Sequence, residues 1–105
     1  MRQLYLNIGC GQKKIDGFIN LDVEPGADVQ VDVTYGLPYD NSSIHGIYSE
    51  HFIEHLPKAE ALAFLRECRR VLVPNGVTRL ATPDLDHVVA KYTGDWRDQA
   101  WLTDF

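Results

Sequence analysis

Leu4–Gly11 reads LYLNIGCG and Phe18–Val23 reads FINLDV; together these two stretches decide the fold. Leu4–Ile8 is a short apolar run of the kind that forms a buried strand, and it stops at Gly9-Cys10-Gly11. Two glycines directly after a strand permit a tight turn and let backbone approach a ligand closely. Phe18–Val23 predicts a second strand, closed by Glu24-Pro25-Gly26. In open α/β sheets, ligands bind at the carboxyl ends of the strands. Asp22 stands at such an end, where a carboxylate can accept hydrogen bonds from ribose hydroxyls. A Gly-x-Gly pair alone is also compatible with a plain turn; the following Asp22 at a strand end makes it more specific. A dinucleotide fingerprint would carry a third glycine at position 14, where Lys14 stands, and this argues against nicotinamide cofactors.

Working outward, Asp28–Val33 (DVQVDV) alternates and predicts a third strand, ending at Asp32, whose carboxylate would face an adenine amino group. Leu37–Ser43 is turn-rich, and Ile44–Ser49 (IHGIYS) predicts a fourth strand. Lys58–Leu72 predicts the principal helix, with Ala61, Leu62, Leu65, Cys68 and Leu72 near helical spacing and Pro74-Asn75-Gly76 as its stop. Val77–Thr82 predicts a fifth strand, and Pro83-Asp84 opens a helix to about Tyr92. The closing stretch Asp95–Phe105 is aromatic and acidic. Strands alternating with helices predict an α/β domain, a Rossmann-like, mostly parallel sheet of about five strands with flanking helices. The links between the first three strands are short for this reading. They span about nine and about five residues, where a parallel crossover usually takes a dozen or more.

The 105 residues allow one domain, taken as residues 1–105, and 45% hydrophobic content is enough for one core. No run is long and apolar enough to span a membrane, and the first residues carry no signal-peptide pattern. Ten Lys+Arg against fifteen Asp+Glu give a net charge of −5, which argues against a nucleic-acid surface and for a small-molecule substrate or a protein partner. Two distant cysteines, Cys10 and Cys68, lack disulfide-framework spacing and fit a reducing, cytoplasmic setting.

Taken in order, LNIGCG (6–11), GFINLD (17–22), LPYDNSSIHGIYSEHFIEHL (37–56) and RECRRVLVPNGVTRLATPDL (66–85) resemble the class I S-adenosylmethionine-dependent methyltransferases. The likeness is to their small bacterial, type 11-like branch and runs from about Leu4 to Tyr92. It implies methyl transfer from S-adenosylmethionine to an acceptor, taken as a small molecule. It implies that Gly9, Cys10 and Gly11, with Asn7 before them, wrap the methionine part of the cofactor. Asp22 would hold the ribose, and Asp32 with Val33 would lie by the adenine. The fourth-strand end around Ser49, Glu50 and His51 would line the methyl-donor site. The family often carries an acid where Asn7 stands, so a charged contact to the cofactor's amino group is missing at that position. The family's sixth and seventh strands have no counterpart in these 105 residues.

His51-Phe52-Ile53-Glu54-His55 also satisfies H-x-x-E-H, a zinc pattern, if both histidines share one helix face. The same segment recurs in the resembled methyltransferases without metal, so the metal assignment is none and a zinc hydrolase is the minor alternative. His51 is the candidate general base, a role imidazole suits, or else a residue that orients the loop. Asp84 can orient a substrate, or cap a helix beside Pro83. Cys10 fits the turn as a small residue better than as a nucleophile. Arg66, Arg69 and Arg70 read as a solvated helix face paired with Glu60 and Glu67. Tyr92, Trp96, Trp101 and Phe105 would cover the edge of the fifth strand or meet a second subunit, a possible homodimer through that edge or the aromatic C-terminus. The rival from another class is a non-catalytic, methyltransferase-like binding module.

Overall fold

The computed structural model of the chain describes residues 3–82. Five strands, β1 (Tyr5–Ile8), β2 (Ile19–Asp22), β3 (Val29–Gln30), β4 (Ile44–Glu50) and β5 (Leu72–Ala81), form one sheet in the order β3-β2-β1-β4-β5. Every neighbouring pair is parallel. The direction of travel reverses between β1 and β4. This places a topological switch point, and hence a crevice, at the carboxyl ends of those two strands.

Helix α1 (Lys58–Val71) joins β4 to β5 and covers one face of the sheet. Its buried residues Phe64, Cys68 and Val71 follow a spacing of four and three, one stripe of a helix. They pack on Leu6, Ile8, Leu21 and Ile47, which registered pairing brings to the same side of β1, β2 and β4. The expected helix face therefore needs correction. Leu62 and Leu65 are exposed, because the chain carries two overlapping apolar stripes and the one containing Phe64 faces the sheet.

Two strand boundaries also differ from expectation. The third strand pairs only over Val29–Gln30, because the Asp32 side chain accepts from the Thr34 amide and turns Val33–Tyr35 into a 3-10 helix. Pro74-Asn75-Gly76 does not stop the helix, since the chain has already entered β5 at Leu72. The three residues lie in an irregularity where the register jumps from Ile44↔Leu72 to Gly46↔Val77. Proline lacks an amide proton, and a bulge is where a strand tolerates it.

The two short links are bare loops, as the tight spacing allowed. Asn20, 4% exposed, replaces the missing crossover packing. Its Oδ1 accepts from Ile15 N and from Asn7 Nδ2, both at 2.9 Å, while its Nδ2 donates to Asp28 Oδ2 at 2.8 Å. One buried side chain thus fastens residues 9–18 and 23–28 to the sheet, and its amide hydrogen bonds hold the Asp28 carboxyl below the usual carboxylate range.

On the far side of α1, Arg70 and Glu67 secure the turn-rich segment. Arg70 donates from Nε and Nη2 to the two Glu67 oxygens at 2.6 and 3.0 Å. Nη1 and Nη2 also donate to the carbonyls of Tyr39 and Leu37, each at 2.9 Å. The amides of Ser42 and Ser43 then satisfy the Arg70 and Val71 carbonyls at the end of the helix. Arg70 is a clasp between helix and loop, which corrects its expected place on a purely solvated face. Among the described residues no helix is long and apolar enough to cross a membrane. The expected helix from Pro83, the segment Asp95–Phe105 and Asp84 lie outside the described residues.

Candidate functional site

The crevice at the strand ends is divided by the turn that follows β1. Gly9 and Cys10 both donate their amides to the Leu21 carbonyl, at 2.9 and 3.2 Å, so the turn leans over the end of β2. Gly9 has φ +71 and Gly11 φ +52. At Gly9 a β-carbon would stand 2.8 Å from the Phe52 ring, whereas at Gly11 nothing lies within 4 Å. Phe52 in turn meets Phe64 edge-on, with ring centroids 5.2 Å apart. The first glycine is therefore pressed onto the core, while the second presents bare backbone to open space.

On one side of Gly9 lies a cleft of about 390 Å³ bordered by Asp22, Asp32, Val33, Tyr35, Phe52 and Leu56. Both Asp22 oxygens are engaged by backbone: Oδ2 accepts from Gly11 N at 2.7 Å and Oδ1 from Glu24 N at 3.0 Å. Each oxygen keeps lone-pair capacity for a further donor. The Asp32 carboxyl is held below its ordinary range by the Thr34 hydroxyl and then the Thr34 amide. Tyr35 stands 91% exposed at the rim, an aromatic face without a partner side chain to explain it.

On the other side lies a cleft of about 430 Å³, lined by Asn7, Gly9–Ile15, Tyr48, Glu50 and His51. Glu50 accepts from the Tyr48 hydroxyl at 3.2 Å, and Lys13 Nζ stands 3.6 Å from its other oxygen. Burial, then the Glu50 contact, pushes the Tyr48 phenol up. Cys10, 5% exposed, has its thiol pushed up by burial and by the Asp22 charge, so it stays protonated and a poor nucleophile.

Gly9, Asp22, Asp32 and Val33 thus meet in one cleft, and Asn7, Gly9, Cys10, Gly11 and His51 in the other. Ser49 joins neither. It is 2% exposed, and its hydroxyl donates to the Ile8 carbonyl at 3.0 Å, tying β4 to β1 beneath the turn. His51 is exposed at the end of β4 with φ +52, its amide bonded to Ala81 O at 2.7 Å. Within the segment His51–His55 only Ile53–His55 is helical, as a 3-10 turn. The zinc pattern required His51 and His55 on one helix face, and that premise fails. Among the described residues no group of three His, Cys, Asp or Glu side chains gathers to hold a metal ion.

Glu50, expected at the fourth-strand end, does line the second cleft, whereas Phe52, Tyr35, Lys13 and Tyr48 were not singled out from the sequence as site-forming. For Tyr48 a signal existed, since it stands two residues before Glu50 and strand residues two apart share a face. For Phe52 and Tyr35 none did, because each becomes part of the site only through the turn that places it.

A parallel α/β sheet with a glycine turn beside its switch point and a carboxylate at the end of the neighbouring strand defines a Rossmann-like class of protein. The family model described as methyltransferase domain matches residues 19–80, more than half of the chain. The chain belongs to this family, the class I S-adenosylmethionine-dependent methyltransferases. No individual curated protein matches it. The matched residues begin after Gly9–Gly11, so the turn itself is read from its geometry.

Proposed function

We propose that the chain binds S-adenosylmethionine across the Gly9–Gly11 turn and transfers its methyl group to a small-molecule acceptor. The observation that carries this is the pair of clefts meeting at Gly9, one bordered by Asp22 and Asp32 and the other by Asn7, Glu50 and His51. Each has a volume within the range of ordinary ligand pockets. The residues suit the cofactor. Gly11 leaves space where a side chain would intrude, and Asp22 ends β2 with acceptor capacity for ribose hydroxyls.

When bound, S-adenosylmethionine supplies a methyl group on a positively charged sulfur, already activated as a leaving group. The protein's part is positioning. Asp22, its carboxylate steadied by the Gly11 amide, fixes the nucleoside half. Asp32, Val33 and the exposed Tyr35 ring bracket the base. Holding two reactants in register supplies much of the rate of a displacement that needs little acid–base help. His51 lines the second cleft, which supports its reading as the base that takes a proton from an attacking hydroxyl or amine. The net charge of −5 supports a small acceptor over a nucleic acid.

Calorimetric titration of S-adenosylhomocysteine into the full chain tests the reading. Micromolar binding is expected, weakened at least about tenfold by Asp22→Asn, which keeps the side-chain shape but loses the charge. Absence of binding to the folded wild-type chain would remove the reading and favour a module kept for its contacts.

A further inference from the structure

The geometry points to Lys13 and Glu50 as a receptor for the amino-acid end of the cofactor, a zwitterion held with its ammonium on Glu50 and its carboxylate on Lys13. This rests on the cofactor reading above and assigns the residues that read one end of the ligand. Asn7 is uncharged and 2% exposed, and its Nδ2 already donates to Lys13 O and to Asn20 Oδ1, both at 2.9 Å. Asn7 is committed to the fold and offers no charge to an ammonium group.

The cleft that Asn7 floors nevertheless has a carboxylate. Glu50 is the acidic residue among those lining it, and its side chain is 35% exposed. Parallel pairing sets Asn7 opposite Tyr48, so Glu50, two residues further along as the last residue of β4, lies on the same sheet face. Tyr48 donates its hydroxyl to Glu50 Oε2 and orients the carboxylate.

Lys13 supplies the opposite sign. It sits in the turn that lines the cleft, and its Nζ is 3.6 Å from Glu50 Oε1. Its neighbour Lys14 is turned to Asp28, at 3.6 Å, and is engaged elsewhere. The Lys13 side chain is 80% exposed, and an exposed pair of this kind contributes little and opens easily. An α-amino acid carries the same two charges a short distance apart. Inserted between Lys13 and Glu50, it replaces one weak ion pair with two charge-assisted contacts.

The test compares two probes by calorimetry on the full chain. S-adenosylhomocysteine has the amino-acid end; 5′-methylthioadenosine has the same nucleoside and sulfur without it. Wild type is expected to prefer S-adenosylhomocysteine by at least about tenfold. Glu50→Gln and Lys13→Met should each erase most of that preference while leaving 5′-methylthioadenosine affinity within about twofold. Both changes conserve side-chain shape, at an exposed Lys13 and a half-buried Glu50, and circular dichroism checks that the variants are folded. Equal affinity of wild type for the two probes overturns the assignment while leaving the cofactor reading intact. A parallel loss of both probes in the variants also overturns it, since that marks a structural role. Failure of wild type to bind either probe removes the cofactor reading and this assignment together.

Discussion

At Gly9 a methyl group would meet two separate obstacles, and at Gly11 only one. Both residues have positive φ, which an L-residue adopts at about 1–2 kcal/mol. Only at Gly9 would the added carbon also strike the Phe52 ring, 2.8 Å away, and push it against Phe64. Overpacking of that kind adds about 1–3 kcal/mol. Gly9→Ala should therefore lower the urea midpoint about twice as far as Gly11→Ala or more, and it should weaken cofactor binding by moving Phe52. Gly11→Ala should lose binding chiefly because its new carbon enters the space reserved for the ligand. Equal midpoints for the two variants would count against the pressed contact at Gly9. The two glycines were legible from their place after a strand. Their different roles were not, because Phe52 reaches Gly9 from a segment more than forty residues away in sequence.

At the scale of elements, local pattern located the secondary structure well and misjudged what surrounds it. Helix α1 begins at Lys58 and β4 at Ile44, where hydrophobic spacing put them. The alternation in DVQVDV overestimated β3, because a cap from Asp32 to Thr34 competes with strand pairing. The Arg70–Glu67 clasp was hidden for another reason: an i, i+3 ion pair looks alike in sequence whether it faces water or a loop. Here Glu67 Oε1 also accepts from Leu37 N at 2.8 Å. The Arg70 hydrogen bonds, then the Leu37 amide, hold the Glu67 carboxyl below its ordinary range. A group with a lowered folded pKa stabilises the protein above its unfolded pKa and loses that contribution as pH falls through the folded value. Stability should thus decline as pH drops below about 4.3, the ordinary glutamate value, with Asp28 and Asp32 adding in the same direction. Glu67→Gln should flatten that decline. Arg70→Lys should do so as well, because an ammonium cannot reach Glu67 and the Leu37 and Tyr39 carbonyls together. Hydrogen exchange at Ser42 and Ser43 should accelerate in both variants. An unchanged acid profile and unchanged exchange would show that the clasp carries no stability.

Across the whole molecule, α1 packs on one face of the sheet, and among the described residues the other face bears loops fastened by Asn20. That asymmetry was foreshadowed by links too short for crossover helices. The means of closing it was not, since nothing in the spacing marks Asn20 as a staple. A chain of this size has a folding stability of only about 5–15 kcal/mol, and its core centres on Phe64, which is fully buried. Phe64→Ala should remove about 3–5 kcal/mol and leave a substantial unfolded population on mild heating. Because the proposed site lies across β1, β2 and β4 and touches Phe52 above Phe64, a ligand there binds the folded chain alone. At a hundredfold excess over its Kd it adds about 2.7 kcal/mol. S-adenosylhomocysteine should then raise the wild-type Tm by on the order of 10 °C. It should also restore the near-ultraviolet signal of Phe64→Ala in proportion to the logarithm of ligand concentration. A ligand that left both Tm values unmoved at millimolar concentration would place no binding free energy at this crevice. The Gly9–Gly11 turn would then have to be explained by its contact with Phe52 alone.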